Sequence, residues 1–325
     1  MYMAELELIL AAPRGYCAGV DRAVETVEQA LKLQGAPVYV RKQIVHNLHV
    51  VADLETRGAI FVDDVNEVPE GATVVFSAHG VAPTVHEGAA ERALDVIDAT
   101  CPLVTKVHNE AKRYDQRGYQ MLLIGHADHE EVVGTMGEAP GAMTLVENAA
   151  DVSTLPDYSV NTPLAYLTQT TLSVDETSGI IAALKQRYPW IESPDKGDIC
   201  YATSNRQAAV KELAKVTELV LVIGSANSSN SCRLVEVARD AGVDSYLIED
   251  ESEIDPTWIG NRTKIGITSG ASAPERLVLG VIEWFRTRSD GITISELETV
   301  HEDVSFHLPR PIRRALALVD TPSAD

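Results

Sequence analysis

Short apolar runs, many of them β-branched, alternate with stretches of helical periodicity along the whole chain. Such alternation marks an α/β protein with parallel sheets, because joining two parallel strands requires a crossover, usually a helix. The runs predict strands at 6–10, 37–40, 59–62, 73–76, 94–97, 121–124, 143–146, 164–167, 219–223, 245–248 and 264–267. That is too many for one short sheet. Apolar stripes predict helices carrying Val20, Val24, Val27 and Leu31; Val104, Val107, Ala111 and Tyr114; Ile180, Ile181, Leu184 and Tyr188; Leu234, Val237, Ala238 and Ala241; and Leu277, Val278, Val281 and Phe285. Capping-box spacing at Ser173 and Glu176, Ser204 and Gln207, and Ser272 and Glu275 predicts three helix starts. Residues 303–307 read as a late strand ended by Leu308-Pro309-Arg310-Pro311, and 321–325 as a mobile polar tail.

Three cysteines change this picture. Cys17, Cys101 and Cys200 each stand where a strand-like run gives way to a helix, and they are spaced by about one small α/β unit. A helix N-terminus favours the thiolate, the form that binds iron, so three sites of this kind point to one metal cluster gathered from three parts of the chain. The spacing predicts lobes at 1–100, 101–198 and 199–300, followed by a C-terminal segment at 301–325. Buried structural thiols or a zinc site completed by His79 or His129 remain open on the cysteines alone. Cys232 falls inside a predicted helix and reads as an ordinary thiol.

The chain has 325 residues, 45% of them apolar, which is ample for such cores. A formal charge of −21 opposes nucleic acid and anionic lipid. No run is long enough to span a bilayer, and Met1 to Leu10 lacks a basic leader, so a soluble cytoplasmic protein is expected.

In open parallel sheets, ligands bind beyond the carboxyl ends of the strands. Here those ends lead into Ser77-Ala78-His79-Gly80, Gly125 to Glu131, Thr168-Gln169-Thr170-Thr171, Gly224 to Ser231 and Thr268 to Ser272, which are rich in hydroxyls, amides and imidazoles. Small hydroxyl residues before a helix direct backbone N–H groups at an anion, as a phosphate or diphosphate requires. His46 and His79 are candidate charge-assisting donors, and Ser228, Ser229, Asn230 and Ser272 count as a set. Glu131, in a glycine-bordered loop, is the candidate proton donor, kept protonated by burial. His129 is placed to orient substrate or relay protons, and Thr170 to hold a substrate hydroxyl. His49, His86, His108, His301 and His307 are set aside as surface or hydrogen-bonded residues. With no G-x-G-x-x-G after a strand, electrons would come from another protein.

The strings Arg14-Gly15-Tyr16-Cys17-Ala18-Gly19, Ile44-Val45-His46-Asn47, Ser77-Ala78-His79-Gly80, Asp98-Ala99-Thr100-Cys101-Pro102, Thr168-Gln169-Thr170-Thr171, Cys200-Tyr201-Ala202-Thr203 and Asn227-Ser228-Ser229-Asn230-Ser231 closely resemble the 4-hydroxy-3-methylbut-2-enyl diphosphate reductase family. The resemblance covers nearly the whole chain. It implies a three-lobed α/β trefoil around a 4Fe-4S cluster held by Cys17, Cys101 and Cys200, with one iron not ligated by protein. It implies loss of the substrate's allylic hydroxyl with two electrons and two protons, the last step of the methylerythritol phosphate route. His46, His79, Ser228, Ser229, Asn230 and Ser272 would then hold the diphosphate, Thr170 and His129 the hydroxyl end, and Glu131 would supply the proton. The implied partner is a ferredoxin, or a flavodoxin with its reductase. Two other readings compete: an iron-sulfur sensor binding a phosphorylated metabolite without turnover, and a zinc hydrolase with Glu131 as base.

Overall fold

The computed structural model describes residues 5–319, in which three separate sheets are built from parallel strand pairs. In chain order the strands are β1 (Leu6–Ala12), β2 (Val38–Arg41), β3 (Ala59–Val62), β4 (Thr73–Phe76), β5 (Asp95–Asp98), β6 (Gln120–Ile124), β7 (Met143–Val146), β8 (Leu164–Thr168), β9 (Leu219–Ile223), β10 (Asp244–Ile248), β11 (Lys264–Ser269) and β12 (Ile292–Glu298). They form sheets of order β10-β9-β11-β1-β12, β3-β2-β4-β5 and β7-β6-β8. The helices are α1 (Ala18–Gln34), α2 (Leu48–Thr56), α3 (Pro83–Glu91), α4 (Pro102–Gln116), α5 (Glu130–Gly137), α6 (Val174–Arg187), α7 (Tyr201–Ala214), α8 (Ser229–Asp240), α9 (Pro256–Ile259), α10 (Glu275–Arg286) and α11 (Arg310–Val319).

Burial on both faces explains the continuous apolar runs. Leu219, Leu221 and Ile223 of β9 pack with Leu277, Val281 and Phe285 of α10, while Val220 and Val222 pack on the other face with Val210, Leu213, Leu234 and Ala238. Burying one such side chain is worth about 1.5–3 kcal/mol, so each sheet sits between helices rather than facing water.

Four expectations are corrected. β1 does not belong to a lobe running from 1 to 100: it pairs with β11 and β12, because its alternate residues Leu6, Leu8 and Leu10 complete the core around α10. Residues 303–307 have no regular structure, and the late strand is β12 instead. β12 is an edge strand with most of its side chains exposed. Ser173 does cap its helix, accepting from the Glu176 amide, but Ser204 lies inside α7 and Ser272 precedes α10, whose N-cap is Pro274. Helix α11 was not foreseen after Pro309 and Pro311. Pro311 is tolerated in its first turn, where a backbone N–H has no helical partner, and Ile312 is buried in the core that includes α1 residues. The expected mobile tail at 321–325 lies outside the described residues.

The loops after β1, β2, β4, β5, β6, β8, β9 and β11, together with the start of α7, line one cavity of about 680 Å³, part of it open to solvent. It is the strand-end position the topology favours for a ligand.

Candidate functional site

Three thiols open the cavity wall. Cys17, Cys101 and Cys200 are the N-cap residues of α1, α4 and α7, as the strand-to-helix context predicted. They line the same cavity and form no disulfide. The Cys200 sulfur accepts from the Thr203 amide at 3.3 Å, and the amides of Leu103 and Val104 face Cys101. Their effect is smaller than that of burial. Burial pushes the Cys101 thiol up to about 12 and the Cys200 thiol up to about 11, with the neighbouring thiols adding to the rise. The expectation that helix N-termini favour the thiolate is therefore corrected at Cys101 and Cys200, where desolvation outweighs the hydrogen bonds from the helix start. A metal must displace their protons as it binds.

Gly19, in the first turn of α1, is what lets two of the sulfurs approach. A Cβ there would lie 2.7 Å from the Cys101 sulfur and 3.8 Å from that of Cys17. Gly19→Ala is expected to push Cys101 aside and to lower iron incorporation sharply while leaving the metal-free fold intact. Iron analysis and circular dichroism after anaerobic reconstitution check this.

Three imidazoles line the same cavity. His46 and His79 stack with ring centroids 4.0 Å apart, and His129 meets them edge-on at 5.4 and 5.7 Å. Burial lowers His46 to about 4 and His129 to about 3, and holds His79 well below its ordinary value, with mutual repulsion contributing for His79 and His129. Desolvation thus favours the neutral imidazole at His46 and His79 over the charged donors expected. Among the described residues, Nδ1 of His79 is buried without a hydrogen-bond partner. A buried polar atom of this kind calls for a ligand.

Glu131 was expected in a loop, but it lies in the first turn of α5, whose N-cap is His129. The Glu131 amide donates to His129 Nδ1 at 3.1 Å, which places the ring proton on Nε2. Glu131 is 2% exposed. The Thr170 amide donates to its Oε1 at 2.7 Å and Thr170 Oγ1 lies 2.9 Å from Oε2. Burial nevertheless pushes the carboxyl up to about 7, against the opposing pull of those bonds.

Ser228 is the N-cap of α8 and accepts from the Ser231 amide. Ser229 Oγ donates to Thr171 O at 3.2 Å, Asn230 Oδ1 accepts from the Ala271 amide at 2.8 Å, and Ser272 Oγ donates to His46 O at 2.8 Å. The structure brings every candidate site residue to this one cavity. Cys232 lies outside its lining, with its sulfur 3.2 Å from Ala226 O. Sequence reasoning did not single out Thr203, whose hydroxyl joins Cys200 to Asn230. It also set aside His108, which is buried against Glu138 at 2.9 Å.

The donor set fits an iron-sulfur cluster: three soft sulfur ligands lining one cavity, with helix-terminal N–H groups facing two of them. Among the described residues, no three of His, Cys, Asp and Glu are grouped to hold a single metal ion.

Comparison with known proteins agrees. The LytB protein family profile matches residues 8–286. The 4-hydroxy-3-methylbut-2-enyl diphosphate reductase of Acidothermus cellulolyticus is 57% identical over 95% of this chain and 91% of its own length, and that of Corynebacterium diphtheriae 54% identical over 96% and 94%. The solved structure of the E-1-hydroxy-2-methyl-but-2-enyl-4-diphosphate reductase from Plasmodium falciparum superposes with a TM-score of 0.93 at 39% identity, covering 98% of this chain and 100% of that one. A solved (E)-4-hydroxy-3-methyl-but-2-enyl diphosphate reductase, described as the terminal enzyme of the non-mevalonate pathway, gives 0.63 at 31% identity, covering 87% and 99%. By sequence, fold and the convergence of its three cysteines, the chain belongs to the LytB family of iron-sulfur 4-hydroxy-3-methylbut-2-enyl diphosphate reductases.

Proposed function

We propose that the chain reductively removes the hydroxyl of 4-hydroxy-3-methylbut-2-enyl diphosphate, consuming two electrons and two protons and releasing isopentenyl or dimethylallyl diphosphate and water. One observation carries the reading: three thiols, a buried carboxyl near neutrality and a set of uncharged donors face a single cavity. Cys17, Cys101 and Cys200 would hold a 4Fe-4S cluster with one iron free of protein ligands, which when bound supplies electrons and a Lewis-acidic position for the hydroxyl.

The remaining chemistry belongs to the side chains. The diphosphate is held by His46 and His79 together with Ser228, Ser229 and Asn230 at the α8 N-terminus and Ser272, where neutral donors and the helix dipole offset the chain's net negative charge. Ser272 and Asn230 release their present backbone partners to do so. Thr170 holds the hydroxyl end. With Glu131 protonated, its carboxyl donates to Thr170 Oγ1 and turns the threonine proton toward the substrate. His129 presents Nε2–H to the same end. Electrons come from an external carrier, a ferredoxin or a flavodoxin with its reductase, and the reaction runs in the cytoplasm. No described helix is long and apolar enough to cross a membrane.

The test is anaerobic reconstitution with iron and sulfide, followed by turnover with an artificial reductant. Iron and sulfide uptake without stoichiometric zinc, accompanied by both products, is expected. A chain loaded with zinc and inert toward the substrate would refute the reading.

The imidazoles add a pH dependence. Burial lowers His46 to about 4, and a diphosphate held beside it raises that value, so protons are taken up on binding. Affinity for inorganic diphosphate is therefore expected to rise as pH falls from about 8 to 6. Calorimetry in buffers of different ionisation heat should show greater proton uptake by the wild type than by His46→Asn, a difference that cancels the ligand's own protonation.

A further inference from the structure

Two arginines behind the cysteines take no part in the chemistry above. Arg206, on α7, is fully buried. Its Nε and Nη2 donate to Gly15 O at 3.2 and 2.7 Å, and its Nη1 to Ala202 O at 3.1 Å and to Glu302 Oε1 at 3.1 Å. Arg22, on α1, donates through Nη1 to Ala99 O at 2.9 Å and Thr100 O at 3.0 Å, and through Nε to His307 O at 2.8 Å. Gly15 lies two residues before Cys17, Ala202 two residues after Cys200, and Thr100 immediately before Cys101. The two guanidiniums thus bind carbonyls flanking all three cysteines. Each is also tied to one segment, residues 299–309 between β12 and α11: Arg206 through Glu302, which also accepts from Asn205 Nδ2 at 3.0 Å, and Arg22 through His307.

This arrangement is costly unless it serves something. A buried guanidinium requires a partner charge, and Glu302 is the only carboxylate in contact with Arg206 among the described residues. Arg22 donates its hydrogen bonds to carbonyls, with Asp98 and Cys101 close enough to interact with its charge. A cluster that accepts electrons gains negative charge, and nearby fixed positive charge favours that change.

We infer that Arg206 and Arg22 are positioning residues for the cluster and that segment 299–309 is the clasp holding them. The forked donors keep the three cysteine loops in register, and the charges make reduction easier. The inference rests on the cluster reading above.

The experiment compares wild type, Glu302→Gln, Arg22→Gln and Arg22→Lys after anaerobic reconstitution, measuring iron release to a chelator, the cluster's midpoint potential, and thermal unfolding of the metal-free chains. Glu302→Gln and Arg22→Gln should release iron roughly 10–100-fold faster than wild type, the loss of affinity typical for groups supporting metal ligands appearing here in the release rate. Arg22→Gln should also shift the potential downward. Arg22→Lys, which keeps the charge but not the fork, should restore the potential and not the retention. Wild-type retention and potential in both glutamine variants would overturn the inference. So would faster release matched by an equal loss of thermal stability in the metal-free chain, which marks ordinary destabilisation. A wild-type chain that takes up no iron would defeat the cluster reading itself.

Discussion

Glu131→Gln is expected to keep its iron and bind the diphosphate while turnover falls by about 10²–10⁴-fold, the usual contribution of a positioned general acid. The reason lies in the balance of forces on this carboxyl. Two bonds from Thr170 favour the ionised form, yet burial wins and brings the group up to about 7. A carboxyl at that value can both hold and give up a proton at neutral pH, whereas an ordinary surface glutamate is already ionised. Glutamine preserves the shape and can still accept from the Thr170 amide, but it cannot release a proton to the substrate. The loss should therefore appear in kcat rather than in substrate affinity. Single-turnover measurements on the reduced variant separate the two, and near-normal turnover would reject Glu131 as the proton source.

Replacing any one of Cys17, Cys101 or Cys200 by serine should reduce activity to background and strip most of the iron, whereas Cys232→Ser should leave both unchanged. With only three protein ligands proposed, no spare sulfur in the cavity can replace a lost one, since Cys232 lies outside the lining. Serine is a harder donor and a far weaker acid than cysteine, so it does not substitute for a thiolate in a buried site. Iron and sulfide analysis, the visible absorption of the reconstituted chains and turnover together check the prediction. Retention of full activity by any of the three variants would remove that cysteine from the ligand set.

The parts of the fold legible along the chain were those whose signal is local. The β9 run reads as a strand because both its faces are buried, and the α10 stripe of Leu277, Val278, Val281 and Phe285 reads as a helix because one face packs on that sheet. Where packing is one-sided or slight, the signal failed. β12 exposes most of its side chains, and α11 commits little beyond Ile312 to the core. Capping spacing succeeded at Ser173 but failed at Ser272, whose hydroxyl is engaged with His46 O from a distant part of the chain. The site was legible as a set of strand ends, but Thr203, Arg22 and Arg206 were not, since nothing beside them in sequence reveals the carbonyls and thiols they reach.

Spacing along the backbone was enough to specify the parallel α/β class, the three thiols at helix starts and the polar turns that follow the strands, because each is a matter of neighbours only a few residues apart. Packing alone settled that β1 joins the sheet of β9, β10, β11 and β12, that Glu131 and the three imidazoles share one cavity, and that burial outweighs the hydrogen bonds from the helix start at Cys101 and Cys200. Strand partners and desolvation depend on segments far apart in the chain, so they take their values only when those segments meet.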